Sequence, residues 1–181
     1  AGRIKVYAVG SVAGEGWLNK EAHPAHKTWL QAQYDQFVVN ELFPTIAQDC
    51  GGYRPFVTAG ASIGAYNAVT ALLKHPEWVD LAIGMSGTYE FERWVGGHRD
   101  ANYYFNQPMH FVPNLPEGPL LDQLRQRRVV LATGQGRAEA PEESVRLSRA
   151  LDSKGIPNNL EVWGADVHHD WPTWRTMLPM F

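Results

Sequence analysis

The chain has 181 residues, 44% hydrophobic and 19% charged, with a net charge of −3. That is enough for one domain with its own core, and it argues against nucleic acid or an anionic membrane as a partner. One cysteine, Cys50, excludes an internal disulfide framework and a cysteine-based zinc site, and no apolar run could span a bilayer. No secretory leader is visible, so the chain reads as cytoplasmic. Seven each of Trp, Tyr and Phe exceed what a core of this size needs and suggest an aromatic-lined pocket.

Residues 4–9 (IKVYAV) read as a strand, and residues 10–19 as a loop leaving its C-terminal end. A long helix is predicted over 28–48, where Trp29, Leu30, Tyr34, Phe37, Val38, Leu42 and Ile46 recur at helical spacing. Pro44 should kink or break it, and Gly51-Gly52 ends it. A second strand is predicted at 55–59, a helix at 64–74 and a strand at 80–87 that ends in a Ser-Gly turn. From 88 to 119 the periodicity dissolves into aromatics and prolines, which reads as a lid or pocket wall. Strands at 128–134 and 160–163 and helices at 141–154 and 171–177 follow. Strands alternating with helices predict a single domain over 1–181, an α/β fold with a mostly parallel sheet covered on both faces. Ligands in such sheets bind at the C-terminal strand ends.

Three stretches carry chemistry. Gly60-Ala61-Ser62-Ile63-Gly64 joins a strand to a helix. In that context the G-x-S-x-G pattern puts a serine on a strained turn, with small residues on either side and helix N–H groups beside it. A serine nucleophile needs a base, and the base needs an orienting acid. The loop after the last strand holds His168 and His169. The loop after the strand before it holds Glu139, ahead of Glu142 and Glu143. Glu139 is preferred as the acid because it lies in the loop, whereas Glu142 and Glu143 open a helix and suit its dipole.

These stretches resemble the esterase branch of the α/β-hydrolase superfamily, which also holds feruloyl and acetyl esterases and the mycolyltransferases. The resemblance to one bacterial subgroup of serine esterases runs through Ile4-Lys5-Val6-Tyr7 to Gly16-Trp17-Leu18-Asn19, Gly60 to Tyr66, Met85-Ser86-Gly87 with Tyr89, Tyr104 to Pro108, Lys154-Gly155-Ile156-Pro157 and His169-Asp170-Trp171-Pro172-Thr173-Trp174. It implies an α/β-hydrolase three-layer sandwich and makes His169 the base. Members often carry an Asp where this chain has Arg137, a departure that moves the acid role to Glu139. The superfamily's strand order makes residues 4–9 strand 4 and the elbow strand its strand 5. Strands 1 to 3, with one oxyanion donor, then have no counterpart, so the fold is expected to be N-terminally incomplete.

The resulting expectation is a serine carboxylesterase working through Ser62, His169 and Glu139 and an acyl-enzyme, with the Ile63 N–H in the oxyanion hole. Trp17, Tyr66 and Trp171 are candidate substrate contacts. The substrate would be a small-molecule or carbohydrate ester, with no metal and no organic cofactor. A homo-oligomer is compatible with the sequence. An acyltransferase and a non-catalytic binding module on a hydrolase scaffold are the alternatives.

Overall fold

A computed structural model describes residues 4–181. Four strands, β1 (Phe56–Ala61), β2 (Val79–Met85), β3 (Arg128–Thr133) and β4 (Asn158–Val162), pair in sequence order, all parallel. Their apolar residues alternate between two faces, as the strand period demands. Val129 and Leu131 join a large core, while Ile83, Met85, Val130 and Ala132 join a small one. The large core is covered by α3 (Ile63–Lys74) and α8 (Pro141–Asp152), whose Leu72, Leu73, Leu147 and Leu151 are fully buried. The small core is closed by Met177 of α9 (Trp171–Met177), with Trp163 and Trp174 beside it.

The expected helix over 28–48 survives its proline. α1 (Pro24–Phe37) runs through one π turn at Val38–Leu42 into α2 (Phe43–Asp49). The Phe43 N–H reaches back to the Val38 carbonyl, five residues earlier. The wider turn relieves the clash that Pro44 would impose on a regular α-helix.

Residues 4–9 form no strand, contrary to expectation. A strand exists only through a partner, and no described strand lies along this segment. It stays extended and open, with Ile4 82% and Val6 78% exposed. Lys5 and Tyr7 anchor it by hydrogen bonds to the Asp49 carboxylate at the end of α2. The outer edge of β1 is likewise unpaired among the described residues.

The stretch 88–119 is more ordered than its composition suggests. Short helices α4 (Glu92–Val95), α5 (Ala101–Phe105) and α6 (Pro108–Phe111) lead to α7 (Pro119–Leu124). Helices of four to six residues are too short to show a period. Phe91, Val95, Tyr103, Phe111 and Val112 are buried in the large core. Asn106 pins the stretch to α3. Its carbonyl accepts from Tyr66 Oη at 2.7 Å, and its side-chain oxygen from Lys74 Nζ at 3.2 Å.

Several of the aromatics serve the core. Trp17 is 1% exposed, packs against Phe91 with ring centroids 4.6 Å apart and donates its indole N–H to Gln31 Oε1 at 3.0 Å. With its polar tip satisfied and its ring enclosed, Trp17→Ala should lower the unfolding free energy by about 3–5 kcal/mol, read from urea denaturation. A loss under about 1 kcal/mol would contradict its core role.

Asp35 of α1 binds the end of α3, with Lys74 Nζ at 2.6 Å and His75 Nε2 at 3.0 Å. Burial alone would raise the Asp35 carboxyl, but the hydrogen bond from His75 and the Lys74 charge outweigh it and hold it below the usual aspartate value. A lowered folded value means that this stabilisation is present above about pH 3.9, where the unfolded carboxyl titrates. It is lost as pH falls through the folded value. Asp35→Asn should therefore cost about 3 kcal/mol at neutral pH and flatten the acid limb of stability against pH. An unchanged acid limb in the variant would refute the assignment.

Candidate active site

The C-terminal ends of β1, β2 and β3 lead into the only non-glycine residues among those described with positive φ: Ser62 (57°), Ser86 (47°) and Ala138 (62°). Such conformations cost on the order of 1–3 kcal/mol each and persist only where their surroundings enforce them. At Ser62 (φ 57°, ψ −123°) the enforcement is visible. Its N–H extends the sheet ladder to the Met85 carbonyl at 2.9 Å, and its carbonyl accepts from Ala65 N at 3.1 Å as α3 begins. A Cβ on Gly60 would lie 2.1 Å from the Gly64 carbonyl oxygen, so residue 60 must be glycine. Gly64 itself faces open space, so the demand for a small residue there does not come from its own Cβ.

Ile63 opens α3, so its N–H has no intrahelical acceptor and is available beside Ser62. Among the described residues, the Ser62 hydroxyl makes no hydrogen bond. The outer edge of β1 supplies no second donor among them either.

The loops after β3 and β4 interlock. Gly136 N donates to the Val167 carbonyl at 2.9 Å, Arg137 N to His168 Nδ1 at 2.9 Å, and His169 N to the Arg137 carbonyl at 3.1 Å. A Cβ on Gly134 would meet the Val167 oxygen at 2.2 Å, and one on Gly136 would meet His168 Nδ1 at 2.1 Å. Both glycines are required by this close approach. His168 thus ties the two loops together, and Arg137 contributes its backbone while its side chain stays exposed.

The interlock brings His169 to Glu139, with Nδ1 3.8 Å from Oε2. That is an ion-pair distance, longer than a hydrogen bond, and Nδ1 is buried without a hydrogen-bond partner among the described residues. The Glu139 side chain is 1% exposed. Its Oε1 accepts from Ser86 Oγ at 2.6 Å and its Oε2 from Thr133 Oγ1 at 3.2 Å. Burial pushes its carboxyl up, but His169, Ser86 and Thr133 together hold it below the ordinary glutamate value. Glu142 is exposed on α8. Glu143 is buried and accepts the N–H groups of Tyr89 and Glu90, so it braces the loop after β2.

Asp170 caps α9 by accepting from Thr173 N at 3.1 Å. Trp174, one turn later, meets the His169 ring edge to face at 5.1 Å and donates its indole N–H to Ser86 Oγ at 3.0 Å. The His-Asp-Trp-x-x-Trp spacing therefore holds an imidazole, a helix cap and an indole that packs on the imidazole. Ser86 and Thr133 were not singled out from the sequence. The Ser-Gly turn at the end of β2 was the available signal for the first.

Of the three aromatic residues expected to contact substrate, two do not reach the surface. Trp17 is in the core, and Tyr66 is fully buried with its hydroxyl spent on Asn106. Trp171 is 67% exposed and lies against Trp174 at 5.3 Å. Among the described residues, no group of three or more His, Cys, Asp or Glu side chains is arranged to hold a metal, and no helix is long and apolar enough to cross a membrane.

A sequence profile of the Esterase family, described as "Putative esterase", matches residues 8–180. No curated protein sequence matches the chain. Among solved structures, a ferulic acid esterase is similar over 81% of this chain and 58% of its own, at 18% identity and a TM-score of 0.65. Mycobacterium tuberculosis MPT51 (FbpC1) is similar over 81% of this chain and 65% of its own, at 19% identity and a TM-score of 0.61. An S-formylglutathione hydrolase from Agrobacterium tumefaciens is similar over 78% of this chain and 52% of its own, at 16% identity and a TM-score of 0.56. The chain thus spans between 52% and 65% of the length of these structures. At such identities the likeness is one of fold, the α/β-hydrolase sandwich around a parallel sheet. With the profile match running over nearly its whole length, the chain belongs to the Esterase family.

Proposed function

We propose that this protein is a serine carboxylesterase in which Ser62, His169 and Glu139 act as nucleophile, base and orienting acid. The observation that carries the reading is the convergence at one end of the sheet: a serine forced to φ 57° on a strand-to-helix turn, and a histidine 3.8 Å from a buried carboxylate. In the first half-reaction, Ser62 Oγ bonds to the ester carbonyl carbon as its proton passes to His169 Nε2. The tetrahedral oxyanion takes the Ile63 N–H. The bond to the alcohol oxygen then breaks, and His169 returns the proton to that oxygen. Water repeats the sequence on the acyl-enzyme and releases the acid. Glu139, ionised at neutral pH, holds the imidazole tautomer and stabilises the imidazolium. The 3.8 Å separation would shorten as charge develops on His169, since catalytic hydrogen bonds are often long in a free enzyme.

The substrate would be a small-molecule or carbohydrate ester, with Trp171 the one candidate of the three aromatics available to touch it. Names among the similar structures, ferulic acid esterase and S-formylglutathione hydrolase, support ester chemistry in general. Acyl transfer to a second alcohol differs only in what attacks the acyl-enzyme. One observation favours a non-catalytic module instead: the Ser62 hydroxyl has no hydrogen bond to His169.

Hydrolysis of p-nitrophenyl acetate separates these readings. Ser62→Ala should reduce the rate by roughly 10⁶, and Glu139→Gln by roughly 10²–10⁴, while Glu142→Gln should leave it unchanged. Hydrolysis by the wild-type chain that persists in Ser62→Ala would refute the nucleophile. A loss in Glu142→Gln without one in Glu139→Gln would refute the acid.

A further inference from the structure

We infer that Ser86 is a positioning residue, whose single hydroxyl ties the carboxylate of Glu139 and the aromatic wall of His169 into one closed circuit. The inference rests on the assignment of Glu139 and His169 above. Ser86 Oγ donates to Glu139 Oε1 at 2.6 Å and accepts from Trp174 Nε1 at 3.0 Å. The Trp174 and His169 rings meet nearly perpendicular, at 5.1 Å and 85°. His169 Nδ1 closes the ring against Glu139 Oε2 at 3.8 Å. The four members come from four places in the chain: the end of β2, the loop after β3, the loop after β4, and α9.

The backbone at Ser86 supports a specific use of that hydroxyl. The residue is 3% exposed, its N–H is bonded to the Ala132 carbonyl at 2.7 Å, and its φ is 47°. Glycine would adopt this turn without strain, so serine here adds strain that a simple turn would not require. What serine provides is an oxygen that donates in one direction and accepts in the other. Thr133 cannot substitute for it. Its hydroxyl reaches Glu139 Oε2 at 3.2 Å, but it has no bond to Trp174.

Two effects follow from the circuit. The Glu139 charge is divided between the Ser86 hydroxyl, the Thr133 hydroxyl and His169. Removing the Ser86 donor leaves more of that charge to stabilise an imidazolium at His169. Removing its acceptor oxygen frees the Trp174 indole and with it the ring against which the imidazole rests. The proton affinity of His169 then rises while its orientation loosens. The other charged or titratable groups around His169 are Arg137 from the facing loop and its neighbours His168 and Asp170. None of them contacts Ser86 through a hydrogen bond.

The test is an NMR pH titration of the His169 ring, assigned by loss of its signal in His169→Gln, in the wild-type chain, Ser86→Ala and Ser86→Gly. Both Ser86 variants lack the hydroxyl, and only the second also removes the backbone strain. The expected result is a rise of the His169 midpoint by about half a unit or more in both, roughly a threefold change in its dissociation constant. The Trp174 indole N–H resonance should move with it. For p-nitrophenyl acetate, kcat above both midpoints should fall about tenfold with KM little changed. An unmoved midpoint overturns the proposal even if the rate falls, because packing alone could slow the reaction. A shift in Ser86→Ala that is absent in Ser86→Gly also overturns it, since loss of the hydroxyl alone would then not move the midpoint. If the wild-type chain does not hydrolyse the ester, the esterase reading fails, while the titration still decides whether the Ser86 hydroxyl controls His169.

Discussion

The structure depends on a turn that an L-residue resists. Ser62 leaves the sheet at φ 57° and ψ −123°, and the chain passes from strand to helix with no linker between Ala61 and Ile63. Gly60 makes this geometrically feasible, because any side chain there would collide with the Gly64 carbonyl. The force holding the turn comes from α3, whose Ala65, Tyr66, Val69, Leu72 and Leu73 are buried against the parallel sheet. Burying a side chain of that kind contributes roughly 1.5–3 kcal/mol, so the helix face outweighs the strain of one residue. Positive φ recurs at Ser86 and Ala138, in the loops that leave the same ends of β2 and β3.

The second constraint is the close fit of the loops after β3 and β4. Backbone groups of Gly136, Arg137, Val167 and His169 bond across the two loops, and Gly134 and Gly136 leave no space between them. Neither loop is free to set its own shape. This explains how a basic residue can stand at 137: the position is used through its amide and carbonyl. The Glu139 carboxylate follows just after the positive-φ residue Ala138, and two hydroxyls and one imidazole surround it.

Much of this could be read from the chain because local pattern and global fold agree. The four paired strands, α3, α8 and α9 each have a clear period or a cap, and Gly-x-Ser-x-Gly sits where strand meets helix. Glu139 lies in a loop and Glu142 on a helix face, as the spacing implies. What could not be read depends on partners far along the sequence. Residues 4–9 have a strand's composition but no adjacent strand among the described residues. Pro44 is absorbed by a π turn that no residue type announces. The short helices of 92–111 are shorter than a detectable period, and the burial of Trp17 and Tyr66 is decided by Phe91 and Asn106 in that same stretch. Ser86 resembles any turn serine until Glu139 and Trp174 are brought to it.

The central claim is that the elbow presents Ser62 as an activated nucleophile. Its most direct measurement is covalent labelling by a fluorophosphonate, with the modified peptide located by mass spectrometry. Stoichiometric modification at Ser62 is expected, abolished in Ser62→Ala and strongly slowed in His169→Gln. A folded chain that takes no label at Ser62, or that takes it equally well without His169, would contradict it.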